Sequence, residues 1–216
     1  MLSQQINVNG NVTIRELIED NLVDGCVEVS NITSTINGDA TGFRSYAEFN
    51  RGSSNFPFEN GIMLSTGAAE SGGNNFTTTD LDEGATTWGT DPDLETALGI
   101  TNTSNATSIE FDFVSISSQV QFNYLLASEE YSGINPCNVS DGFAFLIREV
   151  GSAGPYQNIA VVPGTSTSVN TNTVHDEIVG VCPAQNEQYF DGYNIGDTNY
   201  NGRTEVFTAS ATITPY

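Results

Sequence analysis

Apolar and polar side chains alternate along much of this chain, which is the pattern of half-buried β-strands. Two further stretches are almost continuously apolar, as expected of central strands that are buried on both faces. Turns rich in Asn and Gly separate the segments. The strands predicted in this way cover residues 26–33, 42–49, 61–66, 109–113, 120–125, 142–147, 159–162 and 206–213.

A helix is predicted near the N-terminus. Thr13 and Glu16 have the spacing of a capping box, in which each side chain accepts a hydrogen bond from an exposed amide of the first turn. Ile14, Leu17 and Ile18 then fall on one face of that helix. We expect this face to cover one end of a β-structure.

A second, shorter helix is predicted to follow Asp91, a residue type that caps helix N-termini. Pro92 suits the first helical position and Gly99 suits the stop. The preceding stretch, residues 67–90, is rich in Gly, Asn, Thr and Asp and has no clear period. A connection of this length in a compact domain is usually functional or metal-bound.

These elements predict an all-β fold: an antiparallel β-sandwich, jelly-roll or lectin-like, with one N-terminal helix and one short helix. We find no internal repeat and no linker, so residues 1–216 are expected to form a single domain. No secretory signal peptide and no transmembrane run is visible in the sequence.

The charge is strongly one-sided, with 27 acidic and 5 basic residues and a formal net charge of -22. All five basic residues are arginines, and the chain has no lysine. Such a chain repels nucleic acid and anionic membranes. Solubility alone would explain the excess; the sharper and compatible hypothesis is that some carboxylates bind calcium, a cation that prefers oxygen ligands.

The three cysteines differ in their surroundings. Cys26 lies in an apolar stretch and is predicted to be a buried free thiol, whereas Cys137 and Cys182 lie in polar, loop-like segments. In an oxidising compartment Cys137 and Cys182 are the expected disulfide pair. Three free thiols in a cytosolic protein is the alternative.

The densest polar cluster comprises Glu129 and Glu130, at the end of one predicted strand, and Asp141, at the start of the next. If these strands are neighbours, three carboxylates meet at one rim of the sheet and repel one another unless they are protonated or bind a metal. Calcium is the cation that we expect there. The alternative is that one Glu is solvated and the other accepts backbone hydrogen bonds.

A second acidic stretch comprises Asp80, Asp82, Glu83, Asp91 and Asp93. Its spacing is not that of an EF-hand, since the central Gly and the terminal Glu are misplaced. A solvated loop is the default interpretation, and Asp91 and Asp93 are further candidate metal ligands.

Catalysis is not indicated. Glu129 and Glu130 are adjacent, so on a strand they point to opposite faces and do not form the facing carboxylate pair of a glycosidase. His175 is the only histidine and no nucleophile elbow accompanies it. We therefore expect His175 in a surface loop and predict a protein that is not an enzyme.

Several motifs, in order over about residues 20–213, resemble the choice-of-anchor L domain. They are Gly52-Ser53-Ser54-Asn55-Phe56-Pro57-Phe58, Gly61-Ile62-Met63-Leu64-Ser65-Thr66-Gly67, Asp91-Pro92-Asp93-Leu94, Ile109-Glu110-Phe111-Asp112-Phe113, Phe122-Asn123-Tyr124, Ala127-Ser128-Glu129-Glu130-Tyr131, Asp141-Gly142-Phe143-Ala144-Phe145 and Asn158-Ile159-Ala160-Val161-Val162-Pro163-Gly164. The Asp141 to Phe145 segment also resembles, more weakly, a strand of L-type lectins.

The resemblance implies a secreted module displayed at a bacterial cell surface, as in Bacteroidetes proteins that use type IX secretion, including gliding-motility adhesins. Together with the acidic rim, it gives the expected function: a non-catalytic, calcium-binding adhesin module. The first alternative is a lectin-like carbohydrate-binding domain, for which Tyr131 or Trp88 would be the exposed aromatic; packing of Trp88 beneath its loop is an equal alternative. A secreted hydrolase is the second alternative.

The chain departs from the family pattern at two places. Asn105 stands where the family usually has an acidic residue, and the family usually continues with a further strand pair where this chain stops at Tyr216. The resemblance therefore implies an unfinished sheet edge near residues 206–213. We expect a downstream segment of the parent protein or a second polypeptide to complete it, and surface glycans are further expected partners.

Overall fold

The computed structural model describes residues 4–23, 27–85 and 87–216, and within them the fold is an all-β antiparallel sandwich. Cys26, predicted to be a buried free thiol, lies outside the described residues. The strands are β1 (Asn7–Asn9), β2 (Val27–Thr33), β3 (Tyr46–Asn50), β4 (Asn60–Leu64), β5 (Glu110–Ser115), β6 (Gln119–Tyr124), β7 (Ala127–Ser128), β8 (Leu146–Ile147), β9 (Gln157–Asn158), β10 (Phe190–Tyr193), β11 (Gly202–Thr204) and β12 (Phe207–Thr212).

Strand pairing brings distant parts of the chain together. Two sheets have three strands, in the orders β1-β3-β4 and β10-β11-β7, and three have two strands, β12-β6, β2-β5 and β8-β9. Every one of these pairings is antiparallel. The long β12-β6 ladder runs from Phe207 opposite Tyr124 to Thr212 opposite Gln119.

Two clusters of buried side chains form the core. The larger one is aromatic and joins β6 and β12 to the segments around β8 and β9, with Tyr124 stacked on Phe207 at 5.5 Å between ring centroids. The smaller one joins β1, β3 and the loop around Phe56, whose ring meets that of Phe49 edge-on at 5.3 Å. Offset and edge-on arrangements of this kind are the favourable geometries for aromatic pairs.

Both predicted helices are present. Helix α1 (Ile14–Glu16) opens with the complete Thr13/Glu16 capping box and continues as one π-helical stretch, Leu17–Leu22, in which Leu17 and Ile18 are fully buried. Helix α2 (Pro92–Leu98) begins after Asp91, as predicted. It ends at Gly99, which has a φ of 66°, in the left-handed region that favours glycine.

The strands predicted at 26–33, 42–49, 61–66, 109–113, 120–125 and 206–213 are present. The prediction at 159–162 is wrong, because β9 ends at Asn158 and Val161 forms only an isolated bridge with Ser168. Strands β1, β10 and β11 were not predicted, because three or four residues carry too little periodicity. The apolar run 142–147 pairs as a strand only at Leu146 and Ile147. Gly142 instead lies against α2, where a Cβ at that position would meet Leu94, Leu98 and Ile100 within 3.6 Å.

The end of the chain folds over a neighbouring turn. After β12, the amides of Ile213 and Tyr216 donate to the carbonyls of Ser118 and Ser115. In the described part of the chain, β6 is the strand that pairs with β12. That another polypeptide or a downstream segment adds to this sheet stays a prediction. No helix among the described residues has the length and apolar character needed to cross a membrane.

Candidate functional site

The acidic rim, defined as Glu129, Glu130 and Asp141, starts where β7 ends. Strand β7 pairs with the buried strand β11, with Ser128 opposite Gly202. The hydroxyl of Ser128 accepts a hydrogen bond from the Glu130 amide at 3.0 Å and donates to Asp141 Oδ2 at 3.3 Å. One serine therefore brings the turn after β7 and the predicted next strand together.

Glu129 is the rim residue with an unsatisfied oxygen. Its Oε2 accepts a hydrogen bond from Asn201 Nδ2 at 2.9 Å, but its Oε1 is buried and has no hydrogen-bond partner. Burial raises the pKa of Glu129, the nearby backbone of Leu81 lowers it, and the charges of Asp80 and Glu130 raise it again. A buried carboxylate oxygen without a partner is energetically costly.

The charged forms of Glu130 and Asp141 are disfavoured as well. Burial raises the pKa of Glu130, and the nearby Asp141 charge adds to that effect, while the hydrogen bond from Asn135 Nδ2 at 3.1 Å opposes it. Burial also raises the pKa of Asp141, which the hydrogen bond from Ser128 partly offsets. The rim is thus a group of partly buried carboxylates that favour a proton or a cation.

Tyr200 is close enough to both the second acidic stretch and the rim for their charges to act on its hydroxyl. Burial raises the pKa of its hydroxyl, a hydrogen bond with Ser65 lowers it, and the charges of Glu129, Glu83 and Asp141 raise it again. Asp80 likewise acts on Glu129. No sequence signal marked Tyr200, since it lies about 60 to 120 residues from the acids that it meets in space.

Asp91 and Asp93, the other two predicted metal ligands, lie at the start of helix α2. Asp91 is 9% exposed, and its Oδ1 accepts hydrogen bonds from the amides of Asp93 and Leu94, both at 3.0 Å. Asp93 is exposed in the first turn of α2. Helix capping thus accounts for Asp91, and a metal-binding role for these two aspartates stays a prediction.

The predicted disulfide is confirmed. Cys137 and Cys182 are bonded, with their Cα atoms 5.9 Å apart. Cys137 ends a single 3-10 turn that begins at Asn135, the residue whose amide contacts Glu130. The bond therefore fixes a loop that contributes to the rim.

The expected exposure of Tyr131 and of His175 is wrong, and Trp88 takes the packed alternative. Tyr131 is 1% exposed because its hydroxyl donates to the carbonyl of Val174 at 2.8 Å, and its ring packs on Phe190. Trp88 is 3% exposed, with Nε1 donating to the carbonyl of Ala106 at 2.7 Å. Neither ring is available to stack on a sugar. His175, expected in a surface loop, is also buried, and its backbone pairs with that of Gln185.

A buried ion pair supports the strand beneath the rim. Arg203 lies on β11 opposite Ala127 of β7. Its Nη1 contacts both oxygens of Asp197 at 2.7 and 2.8 Å, and its Nε contacts Asp191 Oδ2 at 2.7 Å. The guanidinium also lies 5.4 Å from the centroid of the Phe56 ring, a favourable distance for a cation–π contact.

The rim brings several oxygen-bearing groups together. Its carboxylates, the hydroxyl of Ser128 and the carboxamide of Asn201 are linked by hydrogen bonds, and carboxylate and carboxamide oxygens are ligand types that calcium accepts. As the side chains stand, no three His, Cys, Asp or Glu residues within 4–23, 27–85 and 87–216 are grouped tightly enough to hold a metal ion. Tight binding would therefore require carboxylates to rotate toward one another.

Comparison with known proteins gives one match. The family model described as the choice-of-anchor L domain matches residues 5–216, essentially the whole chain. No curated protein and no solved structure matches it.

Proposed function

We propose a function from the premise that this chain belongs to the choice-of-anchor L domain family. Membership implies a surface-associated module of an exported protein, and the family is a surface-anchor module rather than a known family of enzymes. Within that role, we propose that the domain is a non-catalytic adhesin module that binds calcium at its acidic rim. Gliding motility on the exterior of a bacterial outer membrane is the setting that we propose for it.

The observation that carries the calcium proposal is the buried, partnerless Oε1 of Glu129. It lies in a rim where burial raises the pKa of every member, and where neighbouring acids raise the pKa of Glu129 and Glu130 further. The arginines whose side-chain contacts the structure gives are engaged elsewhere: Arg15 with Glu19, Arg44 with Asp39, Arg148 with Tyr156 and Arg203 with Asp191 and Asp197. We propose that a bound cation supplies the missing positive charge.

Each rim residue has a role in this proposal. Glu129 would use its free Oε1, and Glu130 and Asp141 would supply the further negative charge. Ser128 and Asn201 would hold those carboxylates in place through the hydrogen bonds that they already make. A bound calcium ion would neutralise the rim and accept about six to eight oxygen ligands, water and carbonyl oxygens among them.

The test is calcium-dependent thermal stability. A ligand at a hundredfold excess over its dissociation constant stabilises the folded state by about 2.7 kcal/mol. For 216 residues at about 2.1 cal/mol/K of unfolding entropy each, that is a rise in Tm of about 6 °C over the EDTA-treated protein. We expect Glu129→Gln to abolish the calcium-dependent rise, and also to raise the Tm measured in EDTA by removing a buried charge.

Glu187→Gln is the matched control, because Glu187 is exposed and distant in sequence from the rim. It should keep the full response to calcium. An identical Tm in calcium and in EDTA for the unsubstituted chain would refute calcium binding. An undiminished calcium response in Glu129→Gln would refute the rim as its location.

A further inference from the structure

An apolar groove of about 240 Å³ opens between strands β5 and β6. The two strands follow one another along the chain, joined by residues 116–118, but each pairs with a different strand, β5 with β2 and β6 with β12. Most of the groove is lined by apolar side chains, among them Leu22, Val27, Phe111, Phe113, Val120 and Phe122. The interior of the sandwich is therefore open along this side.

The apolar lining of this groove is incompletely covered. Phe111 and Phe113 are half-buried, with their ring centroids 6.2 Å apart, and Ile116 in the connection is 69% exposed. On the opposite wall, Phe122 stacks on Phe145, and both rings pack against the larger core cluster. The groove is thus continuous with the core, so an apolar side chain that entered it would be removed from water. Apolar surface of this kind marks a site of interaction.

The backbone of β5 beside the groove is the edge of a sheet. Among the described residues, β2 is the strand that pairs with β5, and the other side of β5 has no strand. At the end of β5, the carbonyl of Ser115 accepts a hydrogen bond from the amide of Tyr216 at 2.9 Å. Alternate residues of an antiparallel strand direct their backbone groups to the same side. Phe113 and Phe111 therefore present their amides and carbonyls on the side that Tyr216 occupies, where an extended segment can pair with them.

The outer face of this edge is acidic. Successive side chains of a strand point to opposite faces, so Phe111 and Phe113 line the groove while Glu110 and Asp112 lie on the other face of β5. Glu28 lies on that same outer face of the sheet, opposite Val114. Opposite charges on neighbouring strands are favourable, and like charges that face each other are destabilising. An added strand would therefore carry basic side chains on its outer face.

From these observations we propose that the open edge of β5 accepts a β-strand from a second polypeptide, in which apolar residues alternate with Lys or Arg. The apolar residues fill the groove, and the basic residues lie beside Glu110 and Asp112. Backbone hydrogen bonds to Phe111 and Phe113 supply affinity, as in other complexes formed by strand addition.

A second copy of this chain does not match that description. Each copy has a formal net charge of -22, so two copies repel each other. The site uses none of the rim carboxylates, and its edge is that of β5 rather than that of β12, which the sequence predicted to be unfinished. The inference therefore goes beyond the calcium-binding function proposed above.

The experiment is a calorimetric titration of the whole chain, in EDTA, with a capped peptide of alternating Val and Lys, about seven residues long so that it spans β5. Two matched peptides are the controls: one alternates Val and Glu, and the other is the Val/Lys peptide methylated on the backbone nitrogens of its valines. The methylated peptide keeps the charge and loses the strand pairing, which separates strand addition from general attraction to an acidic chain. We expect the Val/Lys peptide to bind at least about tenfold more tightly than either control.

A charge reversal on the chain tests the acidic face. Glu110→Lys should weaken binding of the Val/Lys peptide by about two- to fivefold, the effect of one cross-strand charge pair, and should strengthen binding of the Val/Glu peptide. Glu187→Lys makes the same change in net charge at an exposed residue outside β5 and should leave both affinities unchanged. Amide hydrogen exchange measured by NMR should slow at Phe111 and Phe113 when the Val/Lys peptide is bound.

Equal affinity for the methylated and unmethylated Val/Lys peptides would overturn the inference, as would unchanged exchange at Phe111 and Phe113. A dimer of the unsubstituted chain that the Val/Lys peptide dissociates would also overturn it, because a second copy would then occupy the edge. The comparison of peptides uses the unsubstituted chain, so it stays decisive even if Glu110→Lys fails to fold.

Discussion

Arg203 offers the sharpest test of how the fold supports its rim. The side chain is 8% exposed and bonds both oxygens of Asp197, which is 2% exposed, as well as Asp191. We predict that Arg203→Met, which keeps most of the apolar stem and removes the guanidinium, strongly destabilises the protein. The reason is that Asp197 is left buried and charged without its partner.

The magnitude follows from the burial of this pair. Removing one partner of a buried ion pair costs about 3–5 kcal/mol. Unfolding a chain of 216 residues releases about 0.45 kcal/mol/K of entropy, at about 2.1 cal/mol/K per residue. The two figures together give a fall in Tm of about 7–11 °C.

Arg15→Met is the matched control, with the same change in net charge. Arg15 pairs with Glu19 on the helical surface, where the two side chains are 62% and 37% exposed, so we expect a loss below about 0.5 kcal/mol, or roughly 1 °C. Calorimetry and urea unfolding would be run on both variants. Equal losses in the two would show that Arg203 contributes no more than a surface arginine, and would refute the role given to this ion pair.

Two further predictions concern the disulfide and pH. Replacing both Cys137 and Cys182 by Ser opens a loop with a sequence separation of 45 and should lower the free energy of unfolding by about 4 kcal/mol; a loss below about 1 kcal/mol in urea unfolding would contradict this. The pKa values of Glu129, Glu130 and Asp141 are raised on folding from their ordinary values of 4.5, 4.5 and 3.8. Just above those values the folded state therefore binds more protons than the unfolded state. The contribution of these groups to stability falls as pH rises through that window. In EDTA, a Glu129→Gln/Asp141→Asn variant should lose less stability than the unsubstituted chain between about pH 4 and pH 7, and equal losses in a pH series of melting curves would count against the raised values.

Residue types close together in the sequence were enough to predict both helices and the regularly alternating strands. The capping box at Thr13, the Asp91-Pro92 start and the Gly99 stop of α2 depend on residues within one or two turns, so they can be recognised without the fold. Strands with regular alternation, such as β5 and β6, were recognised for the same reason. The Cys137–Cys182 bond followed from the polar surroundings of both residues.

Burial at particular loop positions was not predictable in this way. Trp88 lies in a stretch without periodicity, and its indole is buried because the carbonyl of Ala106 and the ring of Phe43 meet it from other segments. Tyr131 lies beside the two rim glutamates and was expected to be exposed, but Val174 and Phe190 cover it. The effect of the Leu81 backbone on the pKa of Glu129 likewise depends on a proximity that only the folded chain establishes.

The contacts of the first described residues set the order in which this domain can form. Ile6, which is fully buried, donates its amide to the carbonyl of Asp197, and Gln5 Nε2 donates to the carbonyl of Gly196, 191 residues later. A chain that emerges N-terminus first therefore cannot complete these contacts until nearly all of it has been made. Such non-local pairing slows folding, so the N-terminal segment is among the last parts of the chain to reach its final contacts.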